Sequence, residues 1–132
     1  DIHLLKLSDA DQAEAEALLT TLGVKRPYVA LHARGSGNDP SRNVTLEQIE
    51  AAILPHTGRG YSVVSTGLDP LPAGAHWPSV TPLADSRRAS FLLSAACDQF
   101  VGSNSGAWTI AHAYQRPVEL MNDYEHAAWI YP

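Results

Sequence analysis

Residues 98–122 read DQFVGSNSGAWTIAHAYQRPVELMN. Asp98 to Ser103 is a short, largely apolar run of strand length. It stops at the small polar residues Ser103, Asn104, Ser105 and Gly106. Gly106 to Tyr114 then carries a helical pattern, and Pro117 to Asn122 is a second strand-length run. A strand, a polar loop, a helix and a strand in succession are the repeating unit of a parallel sheet covered by helices.

The same alternation extends towards the N-terminus. Ser86 to Cys97 reads as a helix capped by Asp85 or Ser86. Ser79 to Leu83 is a weak strand, placed at an edge because Pro82 interrupts it. Gly67 to Pro78 is a loop rich in proline and glycine, and Tyr61 to Thr66 is a strand. Thr45 to Leu54 forms a helix in which Thr45 and Gln48 have the spacing of a capping box, with Pro55 and Gly58 ending it. Arg34 to Asn43 is a long polar loop after the strand Tyr28 to Ala33. Asp9 to Leu22 is a helix with Ser8 or Asp9 as cap and Gly23 as stop. The tail from Asp123 to Pro132 is aromatic-rich and has no assignment.

Right-handed crossovers then predict an α/β fold: a doubly wound parallel sheet of about five strands with helices on both faces. The expected strand order is 3-2-1-4-5, counting Tyr28–Ala33 as strand 1. The whole chain, residues 1–132, reads as one domain with a real core.

Composition narrows the partners. The chain is 45% apolar and 17% charged, with a net charge of −5. That balance is globular and argues against nucleic acid as a partner. No apolar run approaches the roughly 20 residues of a membrane span. The single cysteine, Cys97, sits in an apolar run, as a buried thiol of a reducing, cytoplasmic compartment would. The chain opens at Asp1 and its one methionine is Met121, so a piece of a longer protein, or a processed chain, is expected.

In a doubly wound sheet, ligands bind beyond the carboxyl ends of the strands, where the strand order switches. Here the switch lies between strands 1 and 4, so the loops Arg34–Asn43 and Ser103–Gly106 should meet. Ser103, Asn104, Ser105 and Gly106 precede a helix, whose free N–H groups attract phosphate. The plainer reading is a capped turn. Arg34 ends a strand, next to Gly35, where a guanidinium can grip a diphosphate with two hydrogen bonds. Arg42 and Asn43 stand just before a helix and offer a second anion contact. A hydrogen-bonded core histidine is the commoner outcome for His32, with ligand contact the alternative. Arg87 and Arg88 read as a solvated face. His112 and Trp108 share a helix face and should pack together, while His56 and His76 fall in loops. No metal-ligand spacing, GxGxxG, Walker or GxSxG motif is present, and no nucleophile–base pair is legible.

YVALHARGSG, SRNVTLEQIEAAI and FLLSAACDQFVGSNSGAWTIAHAYQRPVEL together resemble the C-terminal, donor-binding half of GT-B glycosyltransferases. They are similar to a bacterial group whose first strand ends in His-x-Arg, with an Arg-Asn pair before the next helix and a late Gly-Thr/Ser-x-Ser-Gly loop. The likeness to heptosyltransferases is more distant. It covers Tyr28 to Asn122.

The resemblance implies a Rossmann-like domain of a two-domain, cytoplasmic enzyme that takes a nucleotide sugar as donor substrate, with no cofactor. Arg34, supported by His32, would contact the donor diphosphate. Gly35, Arg42 and Asn43 would order that loop or touch the donor, and Ser103 to Gly106 would lie against the phosphates or sugar. Asn104 and Thr109 stand where heptosyltransferases have an acid and a histidine. The paired glutamates of retaining enzymes are missing, Glu119 in a strand being the only glutamate near. An inverting, metal-independent transfer is therefore implied, with a partner N-terminal domain often supplying the base. The acceptor is unknown. The alternative is a non-catalytic α/β binding or protein-interaction module, which the acidic charge and the tail DYEHAAWIYP would suit.

Overall fold

A computed structural model describes residues 5–33, 44–103 and 106–121, and the backbone of residues 129–130. Its elements run α1 (Asp9–Leu22), β1 (Tyr28–His32), α2 (Leu46–Thr57), β2 (Ser62–Ser65), α3 (Ser86–Ala95), β3 (Gln99–Ser103), α4 (Trp108–Ala113), β4 (Val118–Met121) and β5 (Trp129–Ile130).

Local chemistry sets the helix ends. The Ser8 hydroxyl accepts from the Asp11 N–H, and Gly23 closes α1 in the left-handed region at φ 72°. Thr45 and Gln48 form the full capping box of α2. Asp85 caps α3 by accepting from the Arg88 N–H.

Two expected ends move. Pro55 lies inside α2, because in the last turn its missing N–H removes little of the hydrogen-bond ladder, and the Gly58 N–H still donates to Leu54 O. Helix α4 is shorter than expected. Gly106 and Ala107 form a turn before it, and no side chain caps it.

The sheet order is β2-β1-β3-β4-β5. The first four strands are parallel and β5 runs antiparallel to β4. The expected order holds, with one strand exchanged. The weak strand at residues 79–83 shrinks to a single parallel bridge between Ser65 and Ser79. Pro82 has no N–H to extend it, and the Leu83 N–H turns back to Val80 O. The fifth strand comes instead from the unassigned tail, at Trp129–Ile130.

Both faces of the sheet are buried, as the alternation of side chains requires. Ala30, Val64, Phe100 and Val118 pack beneath Ala15 and Leu19 of α1, Leu92 and Leu93 of α3, and Ala111 of α4. Val29, Leu31, Val63, Val101 and Met121 face Ile49 and Ile53 of α2.

Polar links tie the layers together. Asp98 accepts from the Tyr28 N–H at 2.9 Å and pairs with Arg26 at 3.0 Å, while Arg26 also holds Glu16 of α1 at 2.9 Å. Arg88 is exposed, yet it is not a free solvated residue: it joins α3 to α1 through Glu14 and Asp11. Such exposed pairs orient helices more than they stabilise them. Cys97 is buried and its thiol donates to Ser94 O; burial pushes its pKa up to about 12. Trp108 and His112 pack ring against ring, with centroids 5.9 Å apart.

Candidate functional site

The connection from β1 to β2 steps to one side of β1, and the connection from β2 to β3 crosses to its other side. The two chain directions diverge beyond the carboxyl ends of β1 and β3, the switch point at which doubly wound sheets generally offer a ligand crevice. In the parallel register His32 lies beside Gly102. Ala33 follows His32, and Ser103 follows Gly102; both are buried.

Gly102 has a steric reason to be glycine. A Cβ there would stand 2.5 Å from Phe100 Cε1 and 3.2 Å from His32 O. The Phe100 ring fills the space that side chain would take, and the His32 ring stacks on it with centroids 6.5 Å apart. A glycine, a buried ring and a histidine thus lie together at the carboxyl ends of β1 and β3.

The His32 side chain departs from the expectation of a hydrogen-bonded core histidine. Nδ1 is buried and has no hydrogen-bond partner. Burial lowers the imidazole pKa below its ordinary value, while its own peptide group and the Asp69 carboxylate pull the other way. The net effect is a neutral ring at physiological pH.

A pH dependence of stability follows. Between the lowered folded pKa and the ordinary value near 6.5, the unfolded chain takes up a proton that the folded imidazole refuses. Stability present above that range is lost as pH falls through it. Thermal midpoints measured from about pH 7 to about pH 5 should fall more steeply for the wild type than for His32→Gln. Parallel curves would show that His32 does not titrate differently on folding.

The segment leaving β2 lies close against the end of β1. The Thr66 N–H donates to Leu31 O at 2.8 Å. Gly67 runs so close to β1 that a Cβ on it would lie 3.3 Å from Ala33 O. Leu68 is exposed and Asp69 is half-buried just beyond. Gly106 lies in open space, and the Thr109 hydroxyl donates to its carbonyl at 2.6 Å.

Comparison with solved structures decides the fold. Heptosyltransferase II of E. coli, described as an ADP-heptose lipopolysaccharide heptosyltransferase, superposes with a TM-score of 0.60 at 16% identity, over 87% of this chain and 38% of that one. POFUT1 in complex with GDP gives 0.61 at 16% identity, over 84% and 45%. A family 9 glycosyl transferase from Veillonella parvula gives 0.59 at 9% identity, over 87% and 35%. The fold is that of a GT-B glycosyltransferase domain. The chain spans less than half the length of each of these three structures. No family model matches the sequence, and no curated protein matches it.

Within this fold, the residues expected at the site fall into two groups. The structure brings His32 and Ser103 together at the ends of neighbouring strands, with Gly106 following. Arg34, Gly35, Arg42, Asn43, Asn104 and Ser105 lie outside the described residues. Sequence reasoning missed Gly67, which the structure sets against the end of β1. Its signal was a glycine directly after a strand, within residues 67–78 read only as a proline- and glycine-rich loop.

Two other expectations shift. His56 is not in a loop; it is buried in the last turns of α2. It lies 3.3 Å from the Glu119 carboxylate on one ring nitrogen, and Arg59 donates to the other at 3.1 Å. An arginine only donates, so Nδ1 of His56 carries no proton and Nε2 donates to Glu119. Glu119 is therefore engaged on the α2 face of β4. An open hollow of about 390 Å³, lined by Lys6, Gln12, Tyr114 and Arg116 among others, lies by the C-terminal end of α4, away from the crevice. Among the described residues, no helix is long and apolar enough to cross a membrane.

Proposed function

We propose that the chain is the donor-binding domain of a glycosyltransferase and that its crevice holds a nucleotide sugar. The observation that carries this reading is the meeting of the β1 and β3 ends at the switch point of a GT-B domain. Two of the similar structures bear names that point to nucleotide ligands, ADP-heptose in one and GDP in the other.

The charge of a departing nucleoside diphosphate must be neutralised. Helix α4 has six residues and no side-chain cap, so its dipole contributes little. That task falls to Arg34, with Arg42 in support, as bidentate guanidinium contacts. Such cations make a metal unnecessary. With Glu119 tied to His56, no pair of glutamates stands in the pattern of a retaining enzyme among the described residues, so inversion is the reading we favour. The acceptor site and the remainder of the catalytic machinery would come from a second, N-terminal domain, in a cytoplasmic enzyme.

Calorimetric titration with UDP, GDP, ADP and CMP tests this. One nucleotide should bind, and Arg34→Ala should weaken it by roughly tenfold or more, the cost of one or two hydrogen bonds to a charged group. Absence of binding by all four would overturn the donor reading and favour a binding or interaction module.

A further inference from the structure

We propose that His56 is a proton-operated latch. When its ring takes up a proton, the Arg59 guanidinium is expelled from it, and the link between α2 and β4 changes from a neutral hydrogen bond to an ion pair. The inference stands apart from the donor-binding reading.

The latch lies towards the amino ends of the strands, away from the switch point. His56 is in the last turn of α2 and is 6% exposed, and Glu119 is the second residue of β4. Nε2 stands 3.3 Å from the Glu119 carboxylate, itself largely buried. Nδ1 accepts from a terminal nitrogen of Arg59 at 3.1 Å. Among the described residues, the charged or titratable side chains set against the ring are Glu119 of β4 and Arg59 and Tyr61 of the turn into β2.

Hydrogen-bond chemistry makes two states exclusive. The neutral ring has one lone pair to offer, at Nδ1, and Arg59 uses it. A protonated ring carries N–H at both nitrogens and has no acceptor left. Two donors of like charge cannot share a 3.1 Å contact, so proton uptake and the Arg59 contact cannot coexist. The proton comes from water and bonds to Nδ1. Nε2 keeps its own N–H, which then joins a cation to the Glu119 carboxylate.

The surroundings let one side chain move and hold the rest. Arg59 is exposed; besides His56 it touches Pro55 O, through Nε at 3.3 Å, and lies over the Tyr61 ring at 5.2 Å from its centroid. Turning outward into water costs such a side chain little. The backbone beneath it is tied down. The Arg59 and Tyr61 N–H groups both donate to His56 O, at 3.0 and 3.1 Å, and the Gly60 N–H donates to Thr57 O. The response is therefore a swing of the guanidinium that uncovers the His56 edge and the Tyr61 ring, whose centroids are 5.8 Å apart. Glu119 also stands opposite Trp129 in the β4–β5 pair, so the latch reaches from α2 to the edge of the sheet.

Side-chain NMR of the chain across pH tests the latch. At alkaline pH the His56 ring should show a bare Nδ1 and the Arg59 guanidinium should rotate slowly. As pH falls, the Nδ1–H signal of His56 should appear, while Arg59 rotation quickens and the Tyr61 ring signals move, all with one midpoint. In His56→Gln the pH response of Arg59 and Tyr61 at that midpoint should vanish. Arg59→Met, which removes an exposed cation and donor, should raise the proton affinity of His56 by about two- to fivefold. Glu119→Gln should lower it. An Arg59 signal that does not follow the ring, or a proton affinity unchanged in Arg59→Met, overturns the latch. So does a ring that stays neutral until the protein unfolds in acid.

Discussion

Replacing Phe100 by alanine should remove about 3–5 kcal/mol of stability in urea unfolding. Phe100 is fully buried in the middle of β3, under α3 and α4, and it is among the largest side chains wholly removed from water. Domains of this size retain only about 5–15 kcal/mol in total, so the variant should be marginal at room temperature. The loss reaches the crevice as well, because the ring is the surface on which His32 rests. At temperatures where the variant is still folded, the His32 ring should report greater freedom in NMR relaxation. A cost below about 1 kcal/mol would mean that the site collapses around the cavity, contrary to close packing there.

Gly102→Val should also destabilise, by about 1–3 kcal/mol, through overpacking instead of a void. The added Cβ lands 2.5 Å from the Phe100 ring. That ring is buried and stacked, so it cannot swing away as the end of a flexible side chain could. The other neighbour is the His32 carbonyl, which belongs to the sheet ladder. Relief therefore has to come from separating β1 and β3 at their carboxyl ends, where the crevice lies. Nucleotide affinity should fall together with stability. Gly106→Ala is the contrast: a Cβ there meets nothing within 4 Å, and its unfolding midpoint should stay near wild type. Equal effects from the two substitutions would show that close packing is not what distinguishes Gly102.

Much of the architecture was legible in sequence because short apolar runs alternate with capped helices. Ser8, Thr45, Gln48 and Asp85 act as read, through hydrogen bonds local to the chain. The strand order also holds, since crossover handedness leaves few choices. What failed depended on distant partners. The stretch at residues 79–83 has strand-like residues, yet its pairing ends at Ser79 once the chain turns at Pro82. The tail supplies β5 only because β4 offers it an open edge. Nothing near His56 in sequence signals Glu119, and nothing near Arg88 signals α1. At the crevice, the adjacency of His32, Gly102 and Ser103 follows from strand order. The approach of Gly67 does not, because it depends on how a proline- and glycine-rich loop leaves the sheet.

The placement of the nucleotide site is tested most directly by mapping backbone amides in 15N-labelled protein titrated with UDP, GDP, ADP and CMP. One nucleotide should shift the amides of Ala33, Gly67, Ser103 and Gly106 together, with smaller changes along β4 and none around Gln12 and Arg116. Shifts confined to the hollow by α4, or no shifts with any of the four, would contradict a donor site at the ends of β1 and β3.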